Sequence, residues 1–124
     1  MKKIHVESVS ANQSGDYFQV YFDNDENYDT DDNYFLIQWG IELDDEDDEL
    51  RYIESNDESY IGHVRVKKAI LSRNNFYIQA MKGKETKEIE IIFPDQDKNE
   101  FLEVERILKV IIPNITIEKW IDNC

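Results

Sequence analysis

The residues with the clearest potential for chemistry lie in the stretch DNDENYDTDDNY, from Asp23 to Tyr34. Acidic and amide side chains at its alternate positions match the first part of a calcium loop, which places oxygen ligands at positions 1, 3, 5, 7 and 9. Such a loop needs glycine at position 6 and a closing glutamate at position 12, but Tyr28 and Tyr34 stand there. The pattern therefore favours an exposed acidic loop over an EF-hand, and an irregular calcium site is the alternative.

A second acidic run, LDDEDDEL, has six consecutive acids between Leu43 and Leu50, and its self-repulsion favours another exposed loop. Between Asp23 and Glu58 the chain has 16 acidic residues and one basic residue, a balance of −15, so this third of the chain accounts for the whole net charge of −14. Such a region repels phosphate backbones and anionic lipid surfaces. We therefore expect no nucleic-acid or membrane binding, and a cationic partner.

Nothing in the sequence forms a catalytic signature. Cys124 is the last residue and lacks a positioned base, while His5 and His63 lie in alternating, strand-like stretches. The chain has four glycines and no glycine-rich phosphate loop. We predict a protein that is not an enzyme, with no catalytic residues, no metal site and no cofactor.

Apolar and polar residues alternate along most of the chain, which predicts β-strands. Turns are predicted at NQSG, which would join the first two strands, and at RNN and GKET, because asparagine and glycine tolerate left-handed conformations. A change of phase within one strand predicts a bulge near its middle. The predicted strands are KKIHVESV, YFQVYF, NYFLIQWGIEL, LRYIES, HVRVKKAILS (the bulged strand), NFYIQAM and KEIEIIF.

A helix follows the last of these strands. Pro94 ends the strand, Asp97 can cap the helix, and Glu100 three residues later completes a capping box. Apolar residues then recur at steps of three and four up to Ile111, and Pro113 ends the helix. The tail NITIEKWIDNC is predicted to form an edge strand or a short helix.

These elements predict one α+β domain over residues 1–124: an antiparallel sheet of five to seven strands, with one long C-terminal amphipathic helix, from about Asp97 to Ile112, packed on one face. We find no internal repeat and no linker that would divide the chain. The opening residues lack a secretory signal, and no apolar run approaches the roughly 20 residues of a membrane span. The lone cysteine is compatible with a reducing compartment, so we expect a cytoplasmic protein.

Tyrosines interleave with the acids, and Tyr28, Tyr34, Tyr52 and Tyr60 lie within or beside the acidic region. Tyrosine supplies rigid contact area with a hydroxyl group, while carboxylates steer a basic partner towards the surface. The sequence therefore predicts a protein-binding surface. Its predicted residues are Tyr28 and Tyr34 as anchors, with Asp29, Asp31, Asp32, Asp44, Asp45, Glu46, Asp47 and Asp48 as charges.

The order of motifs from about Asn33 to Ile112 resembles the immunity protein 10 family of bacterial polymorphic-toxin systems. The shared order is NYFLIQWG, an acidic loop, the turn Tyr60-Ile61-Gly62, LSRNNFYIQ, EIEIIF and a closing amphipathic helix. The resemblance implies a non-enzymatic protein that binds and neutralises a cognate secreted toxin inside the producing cell. It carries over no toxin-contacting residue.

The charge points the same way, because a nuclease toxin must be cationic to hold nucleic acid and an acidic surface can cover its groove. Two alternatives remain at this point: an acidic adaptor or regulator with another partner, and a calcium-binding module.

Overall fold

The computed structural model describes residues 1–15, 17–23, 33–40 and 50–118. These ranges contain nine strands, one α-helix and a short 3₁₀-helix over Glu58–Tyr60, so the α+β class is confirmed and the expected five to seven strands are too few. The additional strands come from the opening stretch, which forms two strands, and from the tail, which forms one. The strands are β1 Lys2–His5, β2 Ser8–Ser14, β3 Tyr17–Asp23, β4 Phe35–Gly40, β5 Leu50–Ser55, β6 Gly62–Ser72, β7 Asn75–Lys82, β8 Glu85–Ile92 and β9 Thr116–Ile117, and the helix is α1 Lys98–Ile111.

All nine described strands belong to one sheet, in the order β1-β8-β7-β6-β5-β4-β3-β2, with β9 paired to β6. Most neighbours are antiparallel, as expected from the short turns. Two pairs are parallel, β1 with β8 and β9 with β6, and the prediction of a purely antiparallel sheet is wrong there. Both parallel pairs join segments that are far apart in the chain, where no turn signal can indicate the pairing.

The opening stretch KKIHVESV does not run as one strand. Its first half pairs with β8, and its second half begins β2, which pairs with β3. Between them the Val6 N–H donates to the Ile92 carbonyl at 2.9 Å and the Glu7 N–H donates to the Asp23 carbonyl at 3.1 Å. Val6 and Glu7 thus connect β1 and β2, the strands at the two ends of the strand order. The turn predicted at NQSG falls at its last residue, Gly15, which has a φ of +61°.

The sheet curls around its apolar side. In a flat sheet, strands four positions apart lie roughly 19 Å from each other. Phe22 on β3 and Phe76 on β7 are four positions apart, yet their rings stack with centroids 5.3 Å apart. Phe35 also lies against Phe76, at 6.5 Å. We call this concave side the inner side of the sheet and the opposite side the outer side.

Helix α1 packs on the inner side of the sheet, against β2, β3 and β4. Its buried stripe is Phe101, Val104, Ile107, Leu108 and Ile111. The Asp97 carboxylate accepts the Glu100 N–H at 2.8 Å, so the predicted cap is confirmed, and this bond lowers the pKa of Asp97. At the other end Arg51 Nε donates to the Ile111 carbonyl at 2.6 Å, a favourable place for a cation. No helix in the described ranges is long and apolar enough to cross a membrane.

The bulge predicted in β6 is confirmed, between Val66 and Lys68. Beyond the bulge, β6 extends past the end of its pairing with β5, and β9 pairs with this part of β6 at Ile70 and Leu71. The turns predicted at RNN and GKET are confirmed as well, but the left-handed asparagine expected in the first is wrong. Within the described ranges every positive φ belongs to a glycine, including Gly83 in the two-residue turn between β7 and β8.

Candidate functional site

The outer side of β3, β4 and β5 carries a cluster of tyrosines. Successive strand residues point to opposite sides, so the neighbours of the inner phenylalanines point outward. Of the described elements, α1 is the layer that packs on these strands, and it lies on the inner side. We call the outward set the tyrosine face. It comprises Tyr17, Gln19 and Tyr21 of β3, Tyr34 directly before β4, Leu36 and Gln38 of β4, and Tyr52 and Glu54 of β5.

Strand register brings the centre of the tyrosine face together. Tyr21, Leu36 and Glu54 lie directly opposite one another across the three strands. The rings of Tyr21 and Tyr34 are 6.0 Å apart with a tilt of 31°. Leu36 is only 8% exposed, while the tyrosines are half-buried. An apolar residue therefore lies at the centre of a polar aromatic surface.

Glu54 is held by two tyrosine hydroxyl groups. The Tyr34 hydroxyl donates to Oε2 at 3.1 Å, and the Tyr52 hydroxyl donates to Oε1 at 2.9 Å. Each carboxylate oxygen thus accepts one hydrogen bond from the chain. Because a carboxylate oxygen has two lone pairs, both oxygens can accept a further donor.

The environment keeps these hydroxyl groups protonated. Burial raises the pKa of Tyr34 above 10.0, and the hydrogen bond to Glu54 raises it further. For Tyr52 the hydrogen bond to Glu54 is the largest cause of the raised pKa, followed by burial. Burial also raises the pKa of Tyr21, with the charges of Asp23 and Glu54 adding to it. A neutral phenol donates to a carboxylate, whereas a phenolate would repel it, so the network is stable at neutral pH.

The same chemistry continues along the outer side. The Tyr17 hydroxyl donates to Gln38 Oε1, and His63 lies edge-on to the Tyr52 ring at 5.6 Å. On β7 and β8 the Tyr77 hydroxyl donates to Glu88 Oε2 at 3.2 Å. Burial, followed by the charge of Glu88, raises the pKa of Tyr77. Tyrosine bound to a glutamate is thus a repeated feature of the outer side.

Of the predicted contact residues, Tyr34 lies within the described residues, and the structure places it in the tyrosine face, beside Tyr21 and Glu54. The other nine, Tyr28, Asp29, Asp31, Asp32, Asp44, Asp45, Glu46, Asp47 and Asp48, lie outside the described residues. They belong to segments 24–32 and 41–49, which hold 12 acidic and no basic residues and connect β3 to β4 and β4 to β5. The described residues that flank these two segments lie at opposite ends of β4. The tyrosine face therefore lies between the attachment points of two acidic segments.

Tyr60, which the sequence groups with the acidic region, lies on the inner side instead. It packs against the core, and the ammonium groups of Lys2 and Lys87 lie 5.6 and 5.5 Å from its ring centre. Lys2 in turn pairs with Asp57 at 3.0 Å. This tyrosine therefore contacts cations, whereas Tyr34, Tyr52 and Tyr77 contact carboxylates.

Sequence reasoning did not assign Tyr21, Leu36 and Glu54 to a site. The alternation of YFQVYF and NYFLIQWG already places Tyr21 and Leu36 on the same side of their strands as Tyr34. The missing information was the register of β3, β4 and β5, which aligns Tyr21, Leu36 and Glu54.

Metal-binding side chains do not cluster in the described part of the chain. Within residues 1–15, 17–23, 33–40 and 50–118 no group of three or more His, Cys, Asp or Glu side chains is placed to hold a metal ion. His5 and His63 are both exposed, and Cys124 lies outside the described residues. The groups that the outer side does bring together are aromatic rings, hydroxyl groups and carboxylates.

No protein-family model, curated protein or solved structure matches this chain. The resemblance to the immunity protein 10 family therefore stays a prediction.

Proposed function

We propose that this protein is an immunity protein, which binds a cationic protein toxin in the cytoplasm of the cell that makes both and neutralises it. A nuclease is the toxin class that best fits the charge. The contact surface comprises the tyrosine face and the two acidic segments that adjoin it. The observation that carries the proposal is the Glu54 carboxylate, held by Tyr34 and Tyr52 on the outer side of the sheet between those segments.

The tyrosine face has the composition of a protein interface. Tyrosine gives a large contact area with little loss of side-chain entropy, and its hydroxyl group can still form hydrogen bonds with a partner. Here the rings lie on three paired strands, and hydrogen bonds already hold Tyr17, Tyr34 and Tyr52. A surface that is ordered before binding loses less entropy when a partner docks.

The charge selects the partner. Among the described outward residues of β3, β4 and β5 are the acids Asp23 and Glu54, and none is lysine or arginine. Segments 24–32 and 41–49, which follow β3 and β4 in the chain, hold another 12 acidic residues. This arrangement attracts a cationic surface and accelerates association with it. A nuclease groove is such a surface, because it must hold phosphates.

Binding to the candidate toxin tests the proposal. The toxin of an immunity protein is usually encoded next to it, and capture from the native cell identifies it independently. We expect the association rate to fall steeply between low and high salt, because exposed charges are screened over about 10 Å at 0.1 M salt. Charge reversal at three acids, Asp44→Lys, Asp45→Lys and Asp47→Lys, should weaken binding at least about tenfold.

A matched triple variant controls for net charge. Glu85→Lys, Glu103→Lys and Glu118→Lys reverse the same number of charges at exposed positions away from the tyrosine face and from Asp23. This variant should bind much as the wild type does. Equal losses from both triple variants, or binding that does not depend on salt, would contradict the acidic contact surface. Calorimetry with calcium chloride tests the alternative of a calcium-binding module, because that alternative predicts binding heat.

A further inference from the structure

The Glu54 carboxylate is the polar centre of the tyrosine face. Tyr34 occupies one lone pair of Oε2 and Tyr52 one lone pair of Oε1, so each oxygen has one acceptor position left. We propose that Glu54 receives the guanidinium group of an arginine from the protein partner through two parallel hydrogen bonds, one to each oxygen. This inference rests on the proposed function and names the side chain that the tyrosine face recognises.

No lysine or arginine of the described ranges forms an ion pair with Glu54. Glu90, Glu103 and Glu105 are each within 4 Å of a lysine or arginine of this chain. Glu88 also accepts from Tyr77, but its second oxygen accepts from Gln79 at 3.4 Å. Glu54 is therefore a charged acceptor whose chain partners are neutral donors.

The geometry favours arginine over lysine. A guanidinium group presents parallel N–H groups that match the two oxygens of one carboxylate, whereas an ammonium group is a compact, strongly hydrated point charge. Arginine also stacks on aromatic rings, and Tyr21 and Tyr34 provide two rings 6.0 Å apart beside the carboxylate. On the inner side Arg51 already packs in this way, with its guanidinium carbon 4.8 Å from the centre of the Trp39 ring.

Two small probes of equal charge test this inference without the toxin. N-acetyl-arginine methylamide and N-acetyl-lysine methylamide are titrated into the full chain, and the ring signals of Tyr34 and Tyr52 are followed by NMR. We expect a saturable shift of these signals with the arginine probe and a much weaker response with the lysine probe. The Glu54→Gln variant should bind the arginine probe at least about tenfold more weakly, because a charge-assisted hydrogen bond pair is lost.

The matched control is Glu85→Gln, which removes one exposed carboxylate that pairs with Lys87 at the β7–β8 turn. It should leave the probe response unchanged, and both variants should keep the melting temperature of the wild type to within a few degrees. An equal response to both probes would overturn the inference, as would an arginine response that survives Glu54→Gln.

The toxin complex separates this inference from the proposed function. If Glu54→Gln binds the toxin as tightly as the wild type while charge reversal at Asp44, Asp45 and Asp47 weakens binding, the arginine contact is wrong and the immunity function stands. If the toxin does not bind the wild type, the proposed function is wrong. The probe titration decides the arginine contact in either case.

Discussion

The two sides of β3 and β4 are both aromatic, but they differ by a hydroxyl group. On the inner side Phe22 and Phe35 are fully buried and pack against Phe76. On the outer side Tyr21 and Tyr34 stand next to them in the chain and remain half-buried. Phenylalanine on the outer side would expose a large apolar patch, which invites aggregation. Tyrosine keeps the ring area while its hydroxyl group bonds to Glu54 or to water.

Ring area alone therefore does not decide what a side of the sheet does. The inner rings form a core that the protein needs in order to fold. The outer rings are held in position without being covered by a described element, which is the condition a recognition surface requires. Substitutions on the two sides should therefore separate stability from binding.

The largest expected effect is on the inner side. Phe76→Ala should lower the free energy of unfolding by about 3–5 kcal/mol, because it removes a fully buried ring from the aromatic stack and leaves a cavity. Urea unfolding followed by circular dichroism measures the loss. The neighbouring outer residue provides the control, and Tyr77→Ala should cost clearly less. Equal losses would mean that the outer rings are as much a part of the core as the inner ones.

The next effect concerns binding. Tyr34→Ala and Tyr52→Ala should each weaken toxin binding by about 2 kcal/mol, as expected for aromatic anchors at the centre of an interface, while unfolding changes little. Calorimetry measures the affinity for the toxin, and a thermal melt of each variant measures its stability. Tyr34→Phe is the matched variant, since it keeps the ring and removes the hydrogen bond to Glu54. Unchanged affinity in both alanine variants would remove the tyrosine face from the contact surface.

A smaller effect is expected where the helix closes the inner side. Asp97→Ala should destabilise the protein by about 1 kcal/mol, because the N–H of Glu100 loses its cap. Asp95→Ala, two residues earlier, is the control. It removes a surface ion pair with Arg73 at 2.6 Å, and such pairs contribute about 0–1 kcal/mol. A loss in Asp95→Ala that exceeds the loss in Asp97→Ala would contradict the capping role.

Glu54→Gln should alter the titration of the outer tyrosines. The hydrogen bond to Glu54 is the largest cause of the raised pKa of Tyr52. For Tyr34 burial is the largest cause, and the hydrogen bond to Glu54 is the second. Removing the negative charge should therefore lower both pKa values towards 10.0. Absorbance at 295 nm above pH 9 follows phenolate formation. A titration identical to that of the wild type would show that the carboxylate does not bond to these hydroxyl groups in solution.

The smallest effect is expected beside the inner tyrosine. Hydrogen bonds from Lys2 and Ser59 lower the pKa of Asp57 from 3.8 to about 2. A lowered folded-state pKa stabilises the protein above pH 3.8, and this contribution is lost as the pH falls towards 2. The melting temperature of Asp57→Asn should therefore lie below that of the wild type at pH 7, and the difference should shrink by pH 2. A difference that does not depend on pH would exclude the charge of Asp57 as its cause.

Local signals in the sequence were enough to predict most elements. The helix was predicted from Asp97, Glu100 and the apolar spacing, since a cap and a stripe depend on residues close together in the chain. The bulge in β6 was visible as a change of phase between Val66 and Ala69. The charge of the two acidic segments was read directly from composition.

What the sequence did not predict depends on contacts between distant residues. The parallel pairing of β1 with β8 has no local signal, and the curl of the sheet follows from how Phe22 and Phe76 meet. Tyr60 lies on the inner side because its ring packs between Lys2 and Lys87, residues far from it in sequence. The bond from Tyr34 to Glu54 requires the register of β4 with β5, which alternation alone does not fix.

The pairing of β1 with β8 also constrains how the protein forms during synthesis. Lys2 pairs with Ile89, so β1 leaves the ribosome well before its partner β8 and must wait for it. At ~5–20 residues per second this wait lasts several seconds, during which Ile4 lacks the neighbour that buries it. The curled sheet cannot join its two ends before Ile92 has been made, because Val6 bonds to that carbonyl. Closure of the sheet is therefore expected to be a late step of folding.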